Sequence, residues 1–155
     1  MVSRPVRITV VGGGRCDTDT ASLAERVGEG IARGGGVLIS GGLAGVMEAA
    51  SRGARLAGGV TVGILPGPSA DDANEHVTIP IVTDIGQARN VINVLSGDAV
   101  IALPGAEGTL SEIATALKSG IAVVALAAWN EIAGVVPAAT PDEAVRLAFE
   151  FARRA

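Results

Sequence analysis

The sequence predicts a single-domain α/β protein, a doubly wound parallel sheet between two layers of helices. Short Val- and Ile-rich runs alternate with stretches whose apolar residues fall three and four apart. The runs are apolar along their whole length rather than at every second residue, as strands buried on both faces require. The length of 155 residues suits one compact domain, with no internal repeat and no low-complexity linker.

Taken in order, residues 6–11 form the first predicted strand, and Leu23, Val27 and Ile31 mark the helix after it. Residues 37–40 and a helix through Val46, Ala50 and Ala54 follow, then a third strand over 60–65. The segment 65–75, with Pro66, Gly67, Pro68, Ser69, Asp71 and Asp72, reads as the one long loop, placed to move or to cover a site. A fourth strand over 77–82 leads to a helix through Ala88, Ile92 and Leu95, with Val91, Ile92 and Leu95 on its buried side. Residues 99–103, a helix with Ile113 and Leu117, and a strand over 121–126 complete the alternation. Three pairs look like helix N-caps: Asp84 with Gln87, Thr109 with Glu112, and Thr140 with Glu143, the last with Pro141 and opening a helix to about Arg154. Right-handed crossovers between parallel strands make this a Rossmann-like, three-layer fold spanning residues 1–155.

Composition narrows the function classes. Twelve basic and sixteen acidic residues give a net charge of −4, and no Lys/Arg cluster stands out, which argues against a nucleic-acid binder. One cysteine, Cys16, excludes an internal disulfide, and the lone His76 argues against a histidine metal centre, so no metal is expected. The longest apolar run, 121–129, is too short to span a bilayer, and a reducing cytoplasm is the expected location, with no membrane partner. Phe149, Phe151 and Trp129 are the whole aromatic inventory, so small aliphatic side chains must fill the core and bring backbones close.

The glycines fall where parallel strands end, at the edge where ligands bind in open sheets. Gly12, Gly13 and Gly14 follow the first strand, Gly41 and Gly42 the second, and Gly105, Ala106, Glu107, Gly108 and Thr109 the fifth. Glycine permits close backbone approach, and free N–H groups at a helix N-terminus attract anions, so a phosphate-bearing small molecule is the expected ligand; tight turns are the plainer explanation for any one loop. Two known phosphate signatures fail. A dinucleotide-binding G-x-G-x-x-G from Gly12 would need glycine where Asp17 stands, and a P-loop needs a lysine, but Lys118 lies near a helix end.

Residues 104–112, Pro-Gly-Ala-Glu-Gly-Thr-Leu-Ser-Glu, resemble the P-G-G-x-G-T-x-x-E signature of the "lonely guy" family, once described as lysine decarboxylases. Residues 40–47 resemble that family's earlier Gly-Gly segment, and Arg89-Asn90 falls where it carries an Arg-Lys pair. The enzymes of the family are homodimeric phosphoribohydrolases that cleave AMP or cytokinin riboside monophosphates, and a shorter sister branch contains molybdenum cofactor carrier proteins. Ala106 and Asn90 depart from the enzyme pattern, and with the short length they favour the carrier branch. The resemblance thus implies a bound nucleoside monophosphate or molybdopterin-type cofactor, none being needed for folding, and a homodimer or higher homo-oligomer; a nucleotide-sensing module without turnover is the third reading beside carrier and enzyme.

If the chain is an enzyme, the resemblance makes Glu112 the carboxylate beside the anomeric carbon, stabilising positive charge on the sugar. Arg89 then grips phosphate or orients Glu112. Thr109-x-x-Glu112 is also a capping box, so a purely structural Glu112 is the competing reading. Cys16 reads as packing, His76 as a surface histidine, and Ser111 lacks a histidine partner for nucleophilic work. Glu107 is an acid inside the expected phosphate loop, where it repels the ligand unless it points away or meets an arginine.

Overall fold

In the computed structural model, which describes residues 3–155, seven parallel strands form one sheet in the order β4-β3-β2-β1-β5-β6-β7. The strands are β1 (Arg7–Val11), β2 (Val37–Ser40), β3 (Val60–Leu65), β4 (Ile79–Val82), β5 (Ala99–Ala102), β6 (Val123–Leu126) and β7 (Val136–Ala138). The helices are α1 (Thr18–Arg33), α2 (Val46–Leu56), α3 (Arg89–Leu95), α4 (Glu107–Lys118) and α5 (Pro141–Arg154). Strand order reverses between β1 and β5, because β2 lies on one side of β1 and β5 on the other. The carboxyl ends of those two strands therefore diverge into loops on opposite faces and leave a crevice between them.

The predicted alternation is observed, and β5 and β6 are buried at every residue. One core packs α1, α2 and α5 against β1, β2 and β5 through Val10, Val27, Ile31, Leu38, Ile101 and Phe149. The other packs α3 and α4 through Val94, Ile113 and Ala116 onto Val11, Val100 and Val123. The scarcity of aromatics has its expected consequence between α1 and α2. A Cβ on Gly28 would lie 1.9 Å from the carbonyl oxygen of Ala50, and one on Gly53 would lie 1.9 Å from that of Glu25, so the two helices touch backbone to backbone.

Several details differ from the sequence reading. β4 is exposed at all four residues, because it closes one edge of the sheet and no helix covers it. β7 was not foreseen; its Pro137 argues against a strand, but β7 is the opposite edge, where a missing N–H is tolerated. Asp84 caps nothing: it adopts φ 53°, a 3-10 turn over Gly86–Ala88 follows, and α3 begins at Arg89 without a side-chain cap. The faces of α3 are also reversed, with Val91, Ile92 and Leu95 exposed and Arg89, Asn93 and Val94 buried. The Thr140 cap is as expected, its hydroxyl accepting from the Glu143 N–H while the Glu143 carboxylate accepts from the Ala139 N–H. Asp17 caps α1 in the same way, accepting from the Thr20 N–H. Trp129, after β6, donates its indole N–H to the Leu103 carbonyl at 2.8 Å. Among the described residues no helix is long and apolar enough to cross a membrane.

The α1–α2 contact gives a direct stability test. Gly28→Ala is expected to cost on the order of 3 kcal/mol, because a methyl must displace backbone rather than a side chain. Gly30→Ala, whose methyl meets only the Val145 side chain at 3.0 Å, should change stability by less than about 1 kcal/mol. Urea unfolding of the two variants measures the difference, and equal midpoints would refute the close-contact account.

Candidate functional site

The loops after β1, β2 and β5 enclose a cavity of about 250 Å³ at the crevice. Their mutual fit explains the glycines there. The Gly13 N–H donates to the Pro104 carbonyl at 2.9 Å, and the Gly13 carbonyl accepts from the Val46 N–H, the first of α2, at 3.0 Å. Gly45 stands at φ +68°, where an added Cβ would lie 2.3 Å from that Gly13 carbonyl. An added Cβ on Gly105 would lie 2.1 Å from the Thr109 hydroxyl. These glycines let loop pack on loop. At Gly14 and Gly108, by contrast, an added Cβ would meet nothing within 4 Å, so both face open space on the cavity wall.

Of the residues singled out in the sequence, Gly12, Gly13, Gly14, Gly41, Arg89, Ala106, Gly108, Thr109 and Glu112 line this cavity. Gly42 does not line it; its N–H is engaged by the Ser40 hydroxyl at 3.1 Å. Gly105 lines a neighbouring hollow with Arg15 and Cys16, where burial and Asp17 push the Cys16 thiol pKa up. Glu107 is exposed in the first turn of α4, outside the cavity lining, where a carboxylate interacts favourably with the helix dipole. None of residues 65–75 lines the cavity. Asn74 fastens that segment to the β2–α2 loop by donating to the Gly42 and Leu43 carbonyls. His76 lies outside the cavity lining, grouped with Glu48 and Glu75 so that one ligand atom of each falls within 4.8 Å of the others.

The capping box is corrected. α4 starts at Glu107 with Ala106 as its N-cap residue and no side-chain cap, so Thr109 is inside the first turn and Glu112 a turn further on. Neither caps the helix. Both are buried, and the first N–H groups of α4 stay free of a capping side chain beside the cavity. α2, which contributes Met47 to the same wall, likewise has no side-chain cap. Two helix N-termini thus turn partial positive charge toward one space.

Across from them α3 presents Arg89 and Asn93, one turn apart. Arg89 is 5% exposed and, among the described residues, makes no ion pair within 4.0 Å and has no hydrogen-bond partner for its Nε. Burial lowers its pKa, partly opposed by Glu112. Asn93 donates from Nδ2 to the Glu112 carboxyl at 3.1 Å, while its Oδ1 has no partner. Burial pushes the Glu112 pKa up to about 7, against the pull of the Asn93 amide and the Arg89 charge. Sequence reasoning missed Asn93; a polar pair at i and i+4 opposite an apolar stripe was its signal.

The profile of the SLOG cluster4 family matches residues 5–150. An uncharacterized protein of Archaeoglobus fulgidus is 51% identical over 140 residues, covering 90% of this chain and 92% of its own. The molybdenum cofactor binding protein of Rippkaea orientalis superposes with a TM-score of 0.90 at 39% identity, covering 96% of this chain and 98% of its own. The Moco carrier protein of Chlamydomonas reinhardtii does so with a TM-score of 0.88 at 36% identity, over 98% of this chain and all of its own. A cytokinin riboside 5'-monophosphate phosphoribohydrolase of Mycobacterium tuberculosis is 39% identical over 101 residues, 63% of this chain and 54% of that protein. DNA processing protein A of Streptococcus pneumoniae shares the fold, with a TM-score of 0.75 at 19% identity over 92% of this chain and 61% of that one.

The Glu112 environment predicts a pH signature. A carboxyl raised from 4.5 to about 7 keeps a proton in the folded protein that the unfolded chain releases. Its contribution to stability is full below about pH 4.5 and is lost as pH rises through about 7. Glu112→Gln keeps the shape and cannot ionise. Its stability relative to the parent should grow by on the order of 3 kcal/mol from pH 4.5 to 8 in urea unfolding. Parallel profiles for parent and variant would refute a buried, raised carboxyl.

Proposed function

The chain belongs to the SLOG cluster4 family, and on that premise we propose that it binds a phosphate-bearing cofactor or nucleotide in this cavity, as a carrier of the molybdopterin-type class. The observation that carries the reading is Arg89. A buried guanidinium without an anionic partner is costly, and an arriving phosphate supplies the missing charge. The free N–H groups at the start of α4, the Thr109 hydroxyl and the open faces of Gly14 and Gly108 would receive the remaining phosphate oxygens. The likeness to the Rippkaea and Chlamydomonas proteins supports the pterin-type cargo.

The second reading, phosphoribohydrolase chemistry, is favoured by Glu112. Its buried carboxyl shares the cavity with the phosphate-directed groups, where a carboxylate would stabilise a developing oxocarbenium ion. With its pKa near 7 about half of it is ionised at neutral pH. Carriage takes first place on the likeness to the Rippkaea and Chlamydomonas proteins over nearly the whole chain.

We further propose that a second copy of the chain covers the exposed apolar surface. Ile79, Ile81 and Val82 of β4, Ile85 after it, and Val91, Ile92 and Leu95 of α3 are large apolar side chains left exposed, as a surface that a second copy covers would be.

Chromatography of AMP incubated with the protein separates the first two readings. Saturable binding without adenine release supports carriage; release by the parent and not by Glu112→Gln supports the enzyme. Arg89→Met should weaken AMP binding by at least about 30-fold, the loss of a charge-assisted contact, without lowering stability. Light scattering should give a multiple of 15.3 kDa, and Ile92→Asp should reduce it to that mass; a parent already monomeric would refute the oligomer.

A further inference from the structure

The cation of the cavity is held by amides rather than by an acid. Arg89 donates from Nη1 to Oδ1 of Asn90, and Nδ2 of Asn90 donates to Oε1 of Gln87 at 3.1 Å. All three side chains line the cavity. Among the described residues the Nε of Arg89, on a residue 5% exposed, has no partner and no carboxylate lies within ion-pair distance. Glu112 is the acid in the described cavity lining; its side chain is hydrogen-bonded by Asn93, and it acts on the Arg89 charge only from beyond ion-pair distance.

We propose that Asn90, braced by Gln87, is the positioning residue that fixes the Arg89 guanidinium while leaving it without a direct ion pair, so that the cavity selects phosphate monoester dianions over uncharged analogues. The inference rests on the reading of the cavity as a phosphate-bearing ligand site. An amide oxygen and a carboxylate oxygen accept the same N–H in the same place, but only the carboxylate cancels the charge that draws the ligand in. A neutral brace trades stability of the empty protein for charge recovered when the anion binds, since a buried ion lacking a counterion is the costly state. The proposal also accounts for Asn90 at a position where the resembled enzymes carry lysine. Two adjacent cations would repel in a buried setting, whereas an amide accepts from the guanidinium and costs no charge.

The test uses Asn90→Asp, which is nearly isosteric, adds charge and replaces the Nδ2 donor to Gln87 by an oxygen that a flipped Gln87 amide can meet, beside Asn90→Ala, which removes the brace and adds no charge. AMP and adenosine serve as charged and uncharged probes in calorimetric titrations of the whole protein. Asn90→Asp is expected to weaken AMP binding at least tenfold, more than Asn90→Ala does, and to weaken adenosine binding by a smaller factor than AMP binding. In phosphate-free buffer, Asn90→Asp should unfold at a higher temperature than the parent, because the buried guanidinium gains an ion pair, and Asn90→Ala at a lower one. AMP binding by Asn90→Asp within twofold of the parent, or its unfolding below Asn90→Ala, would overturn the proposal. If the parent binds no phosphate-bearing compound, the cavity reading falls, and the order of unfolding temperatures still decides whether Asn90 braces a guanidinium without a direct ion pair.

Discussion

The peptide of Gly13 joins the three loops on which the site depends. Its N–H goes to the loop after β5 and its carbonyl receives the first N–H of α2, so one residue couples the ends of β1 and β5 to the start of a helix. Two hydrogen bonds of ordinary strength would not hold three loops together alone. They hold because Gly45 and Gly105 bring the flanking backbones within van der Waals range, where a side chain would force them apart. The helix N-termini are aimed at one space as a result of this stitching, and the anion-directed character of the cavity follows from it.

The same economy explains which glycines serve the fold and which serve the cavity. Gly13 spends both of its backbone hydrogen-bonding groups on neighbouring loops, and Gly42 spends its N–H on Ser40. Their presence in a glycine-rich sequence segment says nothing by itself about ligand contact. Gly14 and Gly108 have no such commitment on the side where a Cβ would stand. A motif read as one unit thus divides, residue by residue, into scaffold and surface.

Much of this was legible in the sequence, for reasons that differ by element. β5 and β6 were plain because strands buried on both faces are continuous apolar runs. The Thr140 cap was plain because both of its hydrogen bonds lie within five residues of chain. α3 was misread because its apolar stripe looks like any core-facing stripe. Only the tertiary structure shows that the cavity claims Arg89 and Asn93 and turns Val91, Ile92 and Leu95 outward. Thr109-x-x-Glu112 failed as a cap for a related reason: a capping box is local, but α4 begins two residues before Thr109, a register set by the loops packed against it. Asn93 could be tied to Arg89 by its i, i+4 spacing, but its bond to Glu112 could not be foreseen, because that partner is on another helix.

The indole of Trp129 occupies an unusual place in a chain that has no tyrosine. Its hydrogen bond ends on Leu103, the residue immediately before the loop that opens toward the cavity. Near-ultraviolet emission from this protein therefore comes essentially from one fluorophore, tethered by one hydrogen bond to the start of that loop. A shift of the backbone at Leu103 changes the polarity and hydrogen bonding of that indole directly. The molecule carries its own optical gauge of the loop after β5, and the scarcity of aromatic residues that shaped the core keeps that gauge free of background.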